Sequence, residues 1–191
     1  FDNSEYDDMV HIIYCSNISI KDSFLSNANL DAIDIDMSKG VSIDNVTIQN
    51  SGNDAIDFME TTALINSANL SKSLDKAISA GENSNIRVNN THIFDNNIGI
   101  ASKDKSNVKV THSIFDNNKV QLSAYSKNWR YGEGGVINIW SSNFTNKDNV
   151  LQSMDDSFIS IDNSTITGKL SQYGHIEVDK DTTKFIELNQ H

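Results

Sequence analysis

Apolar residues recur in this chain at one interval along three separate rows. The first row runs Ile20, Ile43, Ile65, Val88, Val110, Ile139 and Ile161, in steps of 23, 22, 23, 22, 29 and 22. Five residues after each lies a second apolar residue: Leu25, Ile48, Leu70, Ile93, Phe115, Phe144 and Ile166. The third row runs Val10, Ile33, Ile56, Ile78, Ile100, Leu122, Leu151 and Ile176. Three rows sharing one period mean stacked repeats, because a sandwich or bundle has no reason to keep such a register. Around the rows, Val and Ile alternate with polar residues, which is strand patterning. Each period therefore predicts one coil of three short strands, every strand lying about 4.8 Å above its counterpart in the coil before. The rows become interior stacks of like side chains. One coil orders too many residues for the surface it buries, so its stability comes from the coils on either side.

The chain must bend three times per coil, yet it contains no proline and only nine glycines. Asparagine takes over. Asn27, Asn50, Asn117 and Asn146 occupy one row, two residues after the second apolar position, with Asp95 in the same row. Stacked amides can bond one another and the turn backbone. The lack of proline fits, since each coil needs its N–H groups for the ladder.

The repeats "NIRVNNTHIFDNNIGIAS" and "NVKVTHSIFDNNKVQLSA" resemble those of right-handed parallel β-helix proteins of the pectin-lyase-like superfamily. The resemblance covers residues 1–188 and implies an all-β solenoid of about seven to eight coils. Residues 1–191 form a single domain on this reading, with a loop insertion at 125–135 where the period lengthens to 29. Phe1-Asp2-Asn3 matches Phe94-Asp95-Asn96, and Phe185-Ile186-Glu187-Leu188 reads as the opening strand of one more coil. Both ends thus read as mid-coil, and further domains of a longer chain are expected. The superfamily includes lyases, hydrolases, tailspikes and structural surface domains, so its fold does not select a function.

Charge narrows the partners. A net charge of −11 disfavours nucleic acid and anionic membrane surfaces. No apolar run is long enough to insert across a bilayer. The single cysteine, Cys15, excludes an internal disulfide and a cysteine zinc cage.

The third row carries the candidate chemistry. Asp31-Ala32-Ile33-Asp34 returns as Asp54-Ala55-Ile56-Asp57, 23 residues later. With Ile33 and Ile35 inside, alternation points Asp34, Asp36 and Asp57 outward. One strand face is expected to gather Asp31, Asp34, Asp36, Asp54, Asp57, Lys76 and Lys103, with Glu60, Glu82 and Asp104 at the adjoining turn. Asp34 above Asp57 brings two carboxylates within about 5 Å, close enough to raise a pKa or recruit a cation. Asp34, Asp36, Asp57 and Glu60 are the expected metal ligands, and hard oxygen donors suit calcium.

"NLDAIDI", "GNDAIDF" and "DKAISAG", on successive coils, also resemble the active-site segments of polygalacturonase-type hydrolases. Asp31 and Asp54 match two of that family's catalytic aspartates. Asn53 stands in place of the third, and Asp75-Lys76 stands where the family has histidine. The combination of lysine with calcium resembles pectate-lyase-like enzymes, in which lysine removes the proton beside a uronate carboxylate. Lys76 and Lys103 are the expected catalytic groups on that resemblance, Asp54 on the match to the hydrolases, and Asp57 as a member of the outward carboxylate pair. The inserted segment "AYSKNWRYGEGG" adds Tyr125, Trp129, Arg130 and Tyr131, whose rings suit stacking on sugars. With Asp31, Asp34, Glu82 and Asp104 they complete the expected substrate-binding set. The resulting expectation is a secreted or cell-surface β-helix that binds an extended polysaccharide; whether it also cleaves is left open, a calcium-assisted uronate lyase or a glycoside hydrolase being the expected type if it does. The alternative is a non-enzymatic structural, adhesive or scaffold module.

Overall fold

The computed structural model describes residues 7–185. Phe1-Asp2-Asn3 and Ile186-Glu187-Leu188 lie outside the described residues. The chain winds into a parallel solenoid with two sheets. An eight-stranded sheet runs His11–Ile13, Ile33–Asp36, Ile56–Met59, Lys76–Gly81, Ile98–Lys103, Val120–Tyr125, Asp148–Ser153 and Lys169–Tyr173. A 14-stranded sheet holds the other two strands of every coil. Its two earliest members, Ser19–Ser26 and Val41–Gln49, run unbroken through both apolar rows. They bend instead at Asp22 and Asn45, both in the left-handed region. From Thr62–Asn66 and Asn69–Ser71 onward, each coil splits that long strand in two.

The apolar rows are true ladders. Ile43 pairs with Ile20 and Ile65, and Val110 with Val88 and Ile139. Ile48 pairs with Leu25 and Leu70, and Phe115 with Ile93 and Phe144. Ile33, Ile56, Ile78, Ile100, Leu122 and Leu151 follow one another rung by rung. Nearly all are fully buried, and the Phe115 and Phe144 rings stack at 4.7 Å.

The last coil corrects two expectations. Leu151 pairs with Gln172, while Ile176 pairs with Ile159, so Ile176 belongs beside the first row and not the third. Gly174 explains the early turn. It sits at φ 93 with its α-carbon packed so close to the Ser153 carbonyl that a Cβ would lie 1.6 Å from that oxygen. Any side chain would forbid this short cut. Phe185 lies in a strand, Thr183–Phe185, that pairs with Thr165–Thr167 beside the second row, and not at the first-row position of an opening strand.

The bends rest on left-handed residues followed by buried hydroxyls or amides. Asn27, Asn50, Lys72, Asp95 and Asn117 form one left-handed row; Met37, Glu60, Glu82 and Asp104 form another. The residue just after a bend is commonly a buried Ser, Thr or Asn whose side chain accepts the N–H of its counterpart one coil earlier. Ser38 N–H donates to Thr61 Oγ1, Thr61 N–H to Ser84 Oγ, and Ser84 N–H to Ser106 Oγ. At a second corner, Thr91, Ser113, Ser142 and Ser164 make the same chain. At the third, Ser73 and Asn96 donate to Asn96 and Asn118. These ladders satisfy corner N–H groups that the strands cannot reach. The exposed asparagine row does stack, with Asn50 donating to Asn27 and Asn117 to Asp95. Asn146 leaves that row and donates to the Asn118 carbonyl.

Candidate functional site

The two aspartates of the repeated Asp-Ala-Ile-Asp phrase do different jobs. The first turns toward the backbone. Asp31 N–H donates to Asp8 Oδ1, Asp54 N–H to Asp31 Oδ1, and Lys76 N–H to Asp54 Oδ1, at 3.2, 2.7 and 2.8 Å. Asn53 Nδ2 donates to the same Asp31 oxygen. Asp31, Asp54 and Lys76 are all buried. The expectation that Asp31 and Asp54 stand on the open face is therefore corrected: they cap the next coil at the corner before the strand. Burial pushes Asp54 up to about 7, with the Lys76 ammonium at 3.5 Å pulling the other way. Asp31 is also raised by burial, and its hydrogen bonds with Asp54 and Asn53 oppose this.

The second aspartate faces outward as expected. Asp34 pairs rung for rung with Asp57, and His11 pairs with Asp34 on the other side. His11 Nε2 lies 3.5 Å from both Asp34 Oδ2 and Asp36 Oδ2. Burial, with Asp36 and Asp57 beside it, raises Asp34 to about 7; burial also raises Asp36. Ser79 follows Asp57 in the row and is fully buried, and neither its hydroxyl nor Asp57 Oδ1 has a hydrogen-bond partner.

Both lysines lie down on the sheet. Lys76 sits between Asp54 and Asp75. Burial works against its charge, but these carboxylates outweigh it and hold its pKa above the ordinary value. A base for proton abstraction needs the opposite shift. Lys103 is buried with Nζ 4.0 Å from Asp57 Oδ1. Its stem crosses Gly81, where an added Cβ would come within 3.1 Å of Lys103 Cε.

The expected metal quartet does not converge. Among the described residues, the group whose ligand atoms lie within 4.8 Å of one another is Asp8, His11 and Asp34. Glu60 is engaged elsewhere, accepting from the Tyr131 hydroxyl at 2.8 Å. An imidazole with two carboxylates is a poor calcium set, since calcium takes six to eight oxygens. Asp8 and His11 belong to this cluster and were not among the expected site residues. The sign was a histidine in the aspartate row, one coil ahead of Asp34.

The inserted loop follows the turn after Val120–Tyr125. Its stem is held by Asp104, which is fully buried and was expected to meet substrate. Asp104 Oδ1 instead accepts the Lys127 and Asn128 N–H groups at 2.6 and 2.7 Å. From that stem the loop divides its aromatic residues. Tyr131 reaches back toward Glu60, and that bond raises its hydroxyl to about 12. Tyr125 is half-buried at the strand end, raised by burial, within the fields of Lys103 and Lys76. Glu82, at the same corner, is raised by burial. Trp129 turns toward the following coil, and Arg130 toward Trp129. Trp129 lines a cleft with Asp155 and Asp156 of the next coil, and Arg130 packs over its ring at 5.9 Å.

The parallel ladders, the left-handed corners and the outward acidic row define a β-solenoid with one built-up face. The chain matches the sequence model of the right-handed β-helix region over residues 1–149 and belongs to that family. No curated protein matches it at a significant level. Among the described residues no helix is long and apolar enough to cross a membrane.

Proposed function

We propose that this β-helix is a polysaccharide-binding module acting outside the cell, with an extended polymer lying along the His11–Asp34–Asp57 row. The observation that supports it is the rung-to-rung pairing of Asp34 with Asp57, flanked by His11. Acceptors repeating about every 4.8 Å along a rigid axis suit a chain of hydroxyl-bearing rings. Binding is the reading favoured over cleavage. Lys76 is kept protonated between Asp54 and Asp75, and Lys103 is drawn to Asp57. The acidic row also favours neutral or amino sugars over uronates, whose carboxylates it repels.

The test is affinity electrophoresis against neutral, amino and uronic polymers, using Asp34→Asn/Asp57→Asn beside the unaltered protein. A loss of about tenfold in affinity for a neutral or amino polymer is expected. Unchanged affinity across the panel would remove the reading. A uronate that gains ultraviolet-absorbing double bonds only with calcium present would restore the lyase reading.

The second reading, a structural or scaffold module, is favoured by the Asp8–Asp31–Asp54–Lys76 ladder. There, carboxylates that resemble catalytic ones are spent on tying coil to coil.

A further inference from the structure

The inserted loop holds one large apolar ring in water. Trp129 is 83% exposed. It sits on a single 3-10 turn, Trp129–Tyr131, closed at both ends: Asn128 accepts the Arg130 N–H, and left-handed Gly132 donates to the Trp129 carbonyl. Asp104 clamps the ascending stem through two N–H groups. On the descending stem, Gly135 donates to the Tyr125 carbonyl at 3.2 Å and to Ser157 Oγ at 3.1 Å. Lys105 N–H reaches the Glu133 and Gly134 carbonyls, and Tyr131 bonds Glu60 three coils away along the chain. The indole is thus displayed from a braced turn and not from a loose tail. Beside it opens a cleft of about 330 Å³, lined by Lys127, Glu133, Asp155 and Asp156. Asp155 and Asp156 come from the corner of the following coil, so the cleft exists only because the loop stands against that coil.

We infer that this cleft is a second saccharide subsite, in which one pyranose ring stacks on Trp129. A pyranose offers an apolar C–H face to the indole and a rim of hydroxyls to the carboxylates around it. Arg130 covers one face of the indole, leaving the other to the sugar. Glu133, Asp155 and Asp156 accept hydroxyl or ammonium protons, and Lys127 donates to a ring or linkage oxygen. Three carboxylates against Lys127 and Arg130 leave the site net negative, which favours neutral or amino sugars over uronic acids. The site goes beyond the proposed row: none of its lining residues belongs to the His11–Asp34–Asp57 row, and it stands or falls separately.

The test is calorimetric titration with cellohexaose, a chitosan hexamer and a galacturonan hexamer, with indole emission followed in parallel. Trp129→Ala is compared with Trp140→Phe, which removes the other tryptophan. The neutral or the amino hexamer is expected to bind and to shift Trp129 emission. Trp129→Ala should weaken that binding by about tenfold, with an unchanged melting midpoint. Trp140→Phe should leave it alone. Tighter binding of the chitosan hexamer, reduced by Asp155→Asn/Asp156→Asn, would assign the amino sugar; equal binding would assign the shared hydroxyls. The Asp34→Asn/Asp57→Asn protein separates the two sites, because it should keep the Trp129-dependent emission change even if polymer binding along the row fails. Binding that Trp129→Ala alters by less than about twofold would overturn the inference. So would the absence of any emission change up to about 10 mM hexamer.

Discussion

Asp34→Asn should make the protein more stable at alkaline pH and leave it unchanged in acid. In the folded chain Asp34 titrates at about 7 against an ordinary 3.8, because burial, Asp36 and Asp57 all oppose its charge. That is about three units, and at 1.36 kcal/mol each the ceiling is about 4 kcal/mol. Asp34 is partly open to water, and screening there reduces the effect to about 1–2 kcal/mol. The sign follows from proton counting. Between about pH 4 and 7 the native chain holds a proton that the unfolded chain has released, so stability falls as pH rises and levels off above 7. Asparagine cannot ionise and escapes this loss. Urea unfolding at a series of pH values is the assay. The variant should gain about 1–2 kcal/mol over the unaltered protein at pH 8 and nothing at pH 4. A difference that does not change with pH, or a variant weaker at pH 8, would refute the account of this face as a repulsive carboxylate row.

Three further substitutions probe the frame around that row. Phe115→Ala breaks the ring stack with Phe144 in the middle of the second row and should cost about 3–5 kcal/mol, read from chemical unfolding. Gly135→Ala puts a Cβ 1.9 Å from the Ser102 carbonyl, so the loop cannot seat. A loss of about 1–3 kcal/mol is expected, with earlier proteolysis in residues 126–135. Asp31→Asn keeps an acceptor for the Asp54 N–H and should be close to neutral. Asp31→Ala strands that buried donor and should cost about 1–3 kcal/mol in thermal unfolding.

The period alone determined the coil, its parallel register and the outward row of Asp34 and Asp57, because vertical stacking turns an interval of 22 or 23 residues into a neighbour. Equal intervals are visible in a one-dimensional string. The corners were only partly legible. The asparagine row stood out, while the hydroxyl ladder Ser38, Thr61, Ser84 and Ser106 kept the same interval beneath residues that look like ordinary loop. What the string could not contain is the direction a side chain takes at a bend. Asp31 and Asp34 sit three residues apart in one phrase, yet the corner turns Asp31 into the backbone and leaves Asp34 on the outer face of the sheet, half-buried. The same holds for Asp104, buried under the loop it anchors, and for Trp129, which faces the following coil. Left-handed corner geometry and the seating of an inserted loop depend on which backbone groups still lack partners after the ladders have formed. That is a property of the assembled coils and not of any one of them.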